Sequence, residues 1–166
     1  MNISGLSTDI FFIAAIKSNT ELMEALPAHD VYDNVANPDE DMDNVKLPYI
    51  IVNNDGGQNI AESKDDNYES EDDRVNISVR IAACNRQQLD AIASEVRKTI
   101  RQYMIDMDNA DPGQEGELFD LKPYDYEMSF SDISFVPDKP CHQIVLYYMC
   151  QVGNDLNEEN DEQENL

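Results

Sequence analysis

Between Asp73 and Met104 the spacing of the apolar residues changes once, and this change constrains the fold more than any other feature of the chain. Val75, Ile77, Val79, Ile81 and Ala83 alternate with Arg74, Asn76, Ser78, Arg80 and Ala82. That period of two sets one row of side chains against a core and turns the other toward water or a partner. From Asn85 onward the spacing is three and four, and Leu89, Ile92, Ala93, Val96, Ile100, Tyr103 and Met104 fall on one face of a helix. Asn85 is placed to cap that helix, its side-chain oxygen accepting from a first-turn N–H that has no partner inside the helix.

Charge narrows the function classes. With 35 acidic residues against 11 basic ones, the 166-residue chain carries a net charge of −24, a surface that repels phosphates. Six of the 11 basic residues nevertheless fall between Arg74 and Arg101. No run of 18 or more apolar residues exists, and no basic segment leads into a long apolar one, so neither a membrane span nor a secretory signal is expected. Cys84, Cys141 and Cys150 are odd in number and match no zinc or redox spacing, so all three are read as reduced thiols in a reducing compartment.

The other elements follow in order. Ser7-Thr8-Asp9 offers cap candidates for a first helix with Ile10, Phe11, Ile13, Ala14 and Ile16 as its apolar face. Thr20–Leu26 supplies one or two further turns ended by Pro27, and a short β-like piece lies around Val31-Tyr32. Leu47–Asn53 is a strand with Pro48 at its mouth. Tyr126, Met128 and Phe130 alternate with polar neighbours, and Ile144–Val152 is a nearly continuous apolar run. This run predicts an interior strand covered on both faces or by another subunit. These elements predict an α+β fold: a roughly four-stranded antiparallel or mixed sheet packed against two helices. One domain is expected over residues 1–153, with mobile acidic loops near 37–45 and 54–72 and a disordered acidic tail at 154–166.

No constellation for chemistry emerges. His29 and His142 lack a nucleophile motif nearby, and adjacent Cys141 and His142 point to opposite faces of a strand. Gly56-Gly57 lacks the Lys-Ser/Thr of a phosphate-binding loop. The stretches from Asp39 to Ile50 and from Asp106 to Glu117 begin like calcium loops, but each fails a required position. The expectation is therefore no enzyme, no metal and no cofactor. Charge segregation is more informative. Arg97 and Arg101 lie four apart on the long helix with Lys98 beside them, while Arg74 and Arg80 project from the polar side of the preceding strand. One reading is a solvated helix face with Glu95 as local partner. The other is a subunit interface in which Arg80, Arg97 and Arg101 meet Glu69, Glu71 and Asp72 of a neighbouring copy, a head-to-tail contact that can close into a ring.

Leu47-Pro48-Tyr49-Ile50-Ile51-Val52, a long polar stretch, the strand Asp73–Ala82 and the helix Gln87–Met104 succeed one another in an order that resembles the tail-terminator (tail-completion) proteins of long-tailed bacteriophages. Those proteins typically show an N-terminal helix, a leucine-proline-tyrosine strand and a strand leading into a helix patterned like Ala91–Ile100. The resemblance spans roughly Ile10–Val152. It implies a structural virion protein, assembled in the bacterial host cytoplasm, whose homo-oligomer is a hexameric ring ending tail-tube polymerisation and joining tail to head. The implied partners are the tail tube protein and head–neck proteins, with DNA passing through without specific binding and no membrane involved. Two alternatives stand beside it: a head–tail connector or neck protein, and an acidic binding module that sequesters a basic partner.

Overall fold

The computed structural model describes residues 8–33, 46–60, 70–108, 118–131 and 141–155. Its elements are α1 (Asp9–Lys17), α2 (Thr20–Ala25), β1 (Tyr32–Asp33), β2 (Tyr49–Ile60), β3 (Ser70–Ala83), α3 (Arg86–Asp108), β4 (Leu118–Ser131) and β5 (Cys141–Asp155). The fold is α+β. Its mixed sheet has five strands in the order β1-β2-β3-β5-β4, one more than expected because two-residue β1 pairs parallel to β2. All other pairings are antiparallel.

The expected change of period is the centre of the molecule. Val75, Ile77, Val79, Ile81 and Ala83 of β3 are buried under Leu89, Ile92, Ala93, Val96 and Ile100 of α3. The connection is so short that α3 must fold straight back over the strand it leaves. At Asn85 the carboxamide oxygen accepts from the Gln88 N–H at 2.8 Å, while the Gln88 side chain accepts from the Cys84 N–H at 3.1 Å. This reciprocal arrangement satisfies a donor on each side of the cap. Ile50 and Val52 of β2 and Ile144, Leu146, Tyr148, Cys150 and Val152 of β5 complete the buried face.

The helical layer is uneven. α3 lies over β3 and β5, and α1 over β2 and against α3, whereas no helix among the described residues covers β4 comparably. In α1 the buried residues are Asp9, Phe12, Ala15 and Ile16, while Ile10 is 46% exposed. The expected face of Ile10, Phe11, Ile13, Ala14 and Ile16 is thus rotated. This helix is apolar nearly all round, so spacing alone does not choose which side meets the sheet. Thr8 occupies the cap position of α1 but makes no side-chain cap bond. Asn19 does cap α2, accepting from Leu22 N–H at 3.0 Å and donating to the Thr99 hydroxyl at 3.0 Å, which ties α2 to α3.

The stretch 54–72, expected to be a loop, belongs largely to a long hairpin. β2 runs to Ile60 and β3 starts at Ser70, with a bulge between Asn54 and Gly57. A Cβ on Gly57 would collide with the Arg74 carbonyl oxygen, so only glycine fits this crossing. Periodicity fails here for a physical reason: on β2 and β3 the buried core residues stop at Val52 and Val75, and the polar residues beyond them carry no apolar alternation to read. Likewise β5 extends through Asn154 and Asp155, the first residues of the expected tail. The expected loop at 37–45 and the tail from residue 156 lie outside the described residues.

Candidate assembly surface

Among the described residues β4 pairs with β5 along one edge only. Tyr126 and Met128, opposite Leu146 and Ile144, lie on the side of the sheet that carries the helices, yet they are 60% and 40% exposed. Their alternation with Asp125, Glu127 and Ser129 is that of a half-buried strand, and no element among the described residues covers this face. Between this bare strip and α3 runs a groove. Its larger part, about 500 Å³, is lined by Ser94, Arg97, Lys98, Arg101, Met104, Pro123 and Tyr148. A smaller part of about 210 Å³ shares Arg97, Pro123 and Tyr148 and continues to Tyr126 and Leu146.

The groove combines an apolar floor with a cationic wall. Tyr148 is buried at its base, where Phe12 of α1 lies 5.6 Å from it, ring centre to ring centre. Burial pushes the Tyr148 phenol up to about 12, against the opposing charge of Arg97. Lys98 holds Glu95 at 3.2 Å. Arg97 and Arg101 are exposed and have no ion-pair partner among the described residues. Both guanidinium groups line the wall of the groove.

The sequence-predicted interface residues divide. Arg97 and Arg101 share the groove. Arg80 does not join them: it alternates with Val79 and Ile81, which face α3, and pairs with Ile51 and Val145 on the opposite face of the sheet. There it borders a second cluster of Tyr49, Ile51, Ala82 and Cys141. Its Nε is buried without a hydrogen-bond partner, and its charge opposes the burial that raises the Tyr49 phenol. The single patch expected from Arg80, Arg97 and Arg101 is therefore corrected to two arginines on one face and one on the other. The alternation contained the signal, since the polar row of a strand must face away from the helix that covers its apolar row. Glu71 and Asp72 are strand residues at the far end of β3, in register with Asn154 and Gly153, and Glu69 lies outside the described residues. Sequence reasoning missed Pro123, Tyr126 and Tyr148, which the β4–β5 register brings to the groove.

The remaining candidates are scattered. His29 carries a positive φ of 51° and its ring nitrogen lies 3.1 Å from the Met23 carbonyl oxygen; His142 is on β5, in register with Ala83 of β3. Cys141 and Cys150 are buried, Cys84 is exposed, and burial raises the Cys150 thiol to about 12. No group of three or more metal-ligating side chains occurs among the described residues. Both candidate calcium loops run into stretches outside them. One carboxylate is perturbed by packing: Asp9, 6% exposed, is raised above 3.8 by burial and then by its hydrogen bond to Asp33. No helix among the described residues is long and apolar enough to cross a membrane. Compared by sequence with known protein families and with curated proteins, the chain matches none.

Proposed function

We propose that this chain works by assembly, as a tail-terminator subunit of a phage or prophage tail. The reading rests on the resemblance along Ile10–Val152, and the bare flank of β4 is the structural observation that carries it. Among the described residues β4 pairs along one edge, exposes Tyr126 and Met128, and has Arg97 and Arg101 beside it with no ion-pair partner, which supports docking of another chain here. Glu71, Asp72 and Asp73 lie at the other end of β3, in register with Asn154, Gly153 and Val152, and are the acidic partners proposed for this flank. Two unlike, complementary patches make a head-to-tail contact, which closes into a ring when the rotation permits. A sixfold ring of such subunits would cap the tail tube and present its other face to the head–neck proteins. Its acidic surface would let DNA slide through the lumen without sticking.

Light scattering after size exclusion tests the assembly. A discrete oligomer near six copies at low salt that loosens at high salt is expected. The double variant Arg97→Glu, Arg101→Glu should abolish it while the fold is kept. Purified tail tube protein polymerised with and without the chain then separates a terminator from a neck protein: a terminator fixes tube length in electron micrographs. The net charge of −24 favours one other reading, an acidic module that sequesters a basic partner. It predicts a monomer at every concentration that binds a basic protein tightly.

A further inference from the structure

We propose that Cys84 and Cys141 are a cross-strand pair that a small-molecule disulfide such as oxidised glutathione converts into a disulfide bond within the chain, closing the end of the sheet where β3 passes into α3. Both are free thiols in the structure, Cys84 exposed and Cys141 buried. Register brings them together. The antiparallel β3–β5 ladder pairs Ala82 with Gln143 and Ala83 with His142, so one residue further along the same register Cys84 stands opposite Cys141. Facing residues of an antiparallel pair have Cα atoms about 4.5–5.5 Å apart, inside the roughly 4.4–6.8 Å that a disulfide spans.

The two side chains also share a face. Cys141 packs with Tyr49, Ile51 and Ala82 on the side of the sheet away from the helices. Ala82 lies two residues before Cys84, and residues two apart on a strand point the same way. Each backbone is held in place: the Cys84 N–H donates to the Gln88 side chain at 3.1 Å, and Cys141 pairs with Ser131 of β4 along its other edge. The Cys141 thiol donates to the His142 carbonyl oxygen at 3.7 Å and accepts from the Gln143 amide at 3.6 Å. Burial raises the Cys141 thiol, and Cys84 adds a smaller push in the same direction. Cys150 is excluded by distance and by face. It stands nine residues from Cys141 on β5, about 30 Å at ~3.3 Å per residue, and is buried in the core under the helices.

Exposure sets the order of events. The Cys84 thiolate attacks one sulfur of oxidised glutathione, forming a mixed disulfide and releasing one glutathione thiolate. Cys141 then gives up its proton, its sulfur attacks Cys84 Sγ, and the second glutathione leaves as thiolate. Two protein thiols are oxidised, one glutathione disulfide is reduced, and the two protons pass to the departing glutathiones. The bond closes a loop that contains α3 and β4 and so constrains the unfolded chain. A particle leaving a reducing cytoplasm passes into oxidising surroundings, where the pair would lock the subunit. That consequence rests on the assembly reading; the bond itself does not.

The test uses the full chain in a mixture of oxidised and reduced glutathione, across a dilution series, with free thiols then blocked by iodoacetamide and linkages mapped by mass spectrometry. The expected product is a Cys84–Cys141 bond within one chain, in equal yield at every dilution, with Cys150 still a thiol. In Cys141→Ser the reaction should halt at Cys84 joined to glutathione, and that adduct should outlast its counterpart in the unaltered chain at least about tenfold. An unaltered chain that stops at the Cys84–glutathione adduct, or does not react, overturns the inference whether or not the serine variant folds. A Cys84 bond between two chains also overturns it. Neither result bears on the oligomer near six copies, which light scattering of the reduced protein reads separately.

Discussion

β3 and β4 are equally long, 14 residues each, and both pair with β5, one along each of its edges. Both alternate apolar with polar side chains. Yet Ile77 on β3 is fully buried, and Tyr126 on β4 is 60% exposed. The difference is that β3 is followed at once by the helix that covers it, whereas no helix among the described residues packs comparably over β4. Alternation therefore encodes a face that needs cover without specifying whether that cover comes from the same chain. Where it does, burial becomes folding stability; where it does not, it is left for association.

Substitutions can break this comparison. The largest effect belongs to Ile77→Ala, which should lower unfolding free energy by about 2–5 kcal/mol in denaturant titration, as a large-to-small change in a packed core does. A loss under 1 kcal/mol would mean that β3 is no better covered than β4. Next is Gly57→Ala, where the new methyl meets the Arg74 carbonyl; a cost of about 1–3 kcal/mol is expected, with the hairpin amides losing hydrogen-exchange protection first. Asn85→Ala removes the cap that joins β3 to its cover and should cost about 1 kcal/mol.

Asp9→Asn acts through pH. The folded-state pKa of Asp9 is raised, so its contribution to stability is full below the ordinary value of 3.8 and is lost as pH rises through the folded-state pKa. The variant should be the more stable protein at neutral pH, and its Tm should vary less across the acid range. An unchanged pH profile would remove the Asp9–Asp33 contact from the account. Smallest in stability is Tyr126→Ser, expected within about 0.5 kcal/mol of the parent. Its effect belongs to the proposed assembly, and the proposed ring should weaken at least tenfold in midpoint concentration. If this variant unfolds as readily as Ile77→Ala, the division between the two strands fails.

The junction at Asn85 was legible because two periods meet there and a capping residue marks the seam. The bare flank was half legible: Tyr126 and Met128 read correctly as one face of a strand, but nothing local in sequence tells how far α3 reaches sideways. The grouping of Arg80 with Arg97 and Arg101 failed because nearness along the chain was taken for nearness on a surface. A sheet one residue thick puts alternate side chains about as far apart as a protein layer allows. The hairpin beyond Val52 and Val75 was illegible for the opposite reason, since the ladder there is held by backbone hydrogen bonds that leave no trace in side-chain polarity.

That ladder outruns the helices. The 23 residues of α3 span about 35 Å and the 14 of β3 about 46 Å, so roughly the last 10 Å of sheet, around Ile60, Ser70–Asp72 and Gly153–Asp155, project past the helical layer. A strand end that extends past the helix laid over it is expected to open more readily than its root. Amide exchange should quicken steadily from root to tip while global stability stays the same. A ring built from subunits of this shape would carry compliance at one rim and rigidity at the other, and could follow a partner whose symmetry or diameter differs slightly from its own.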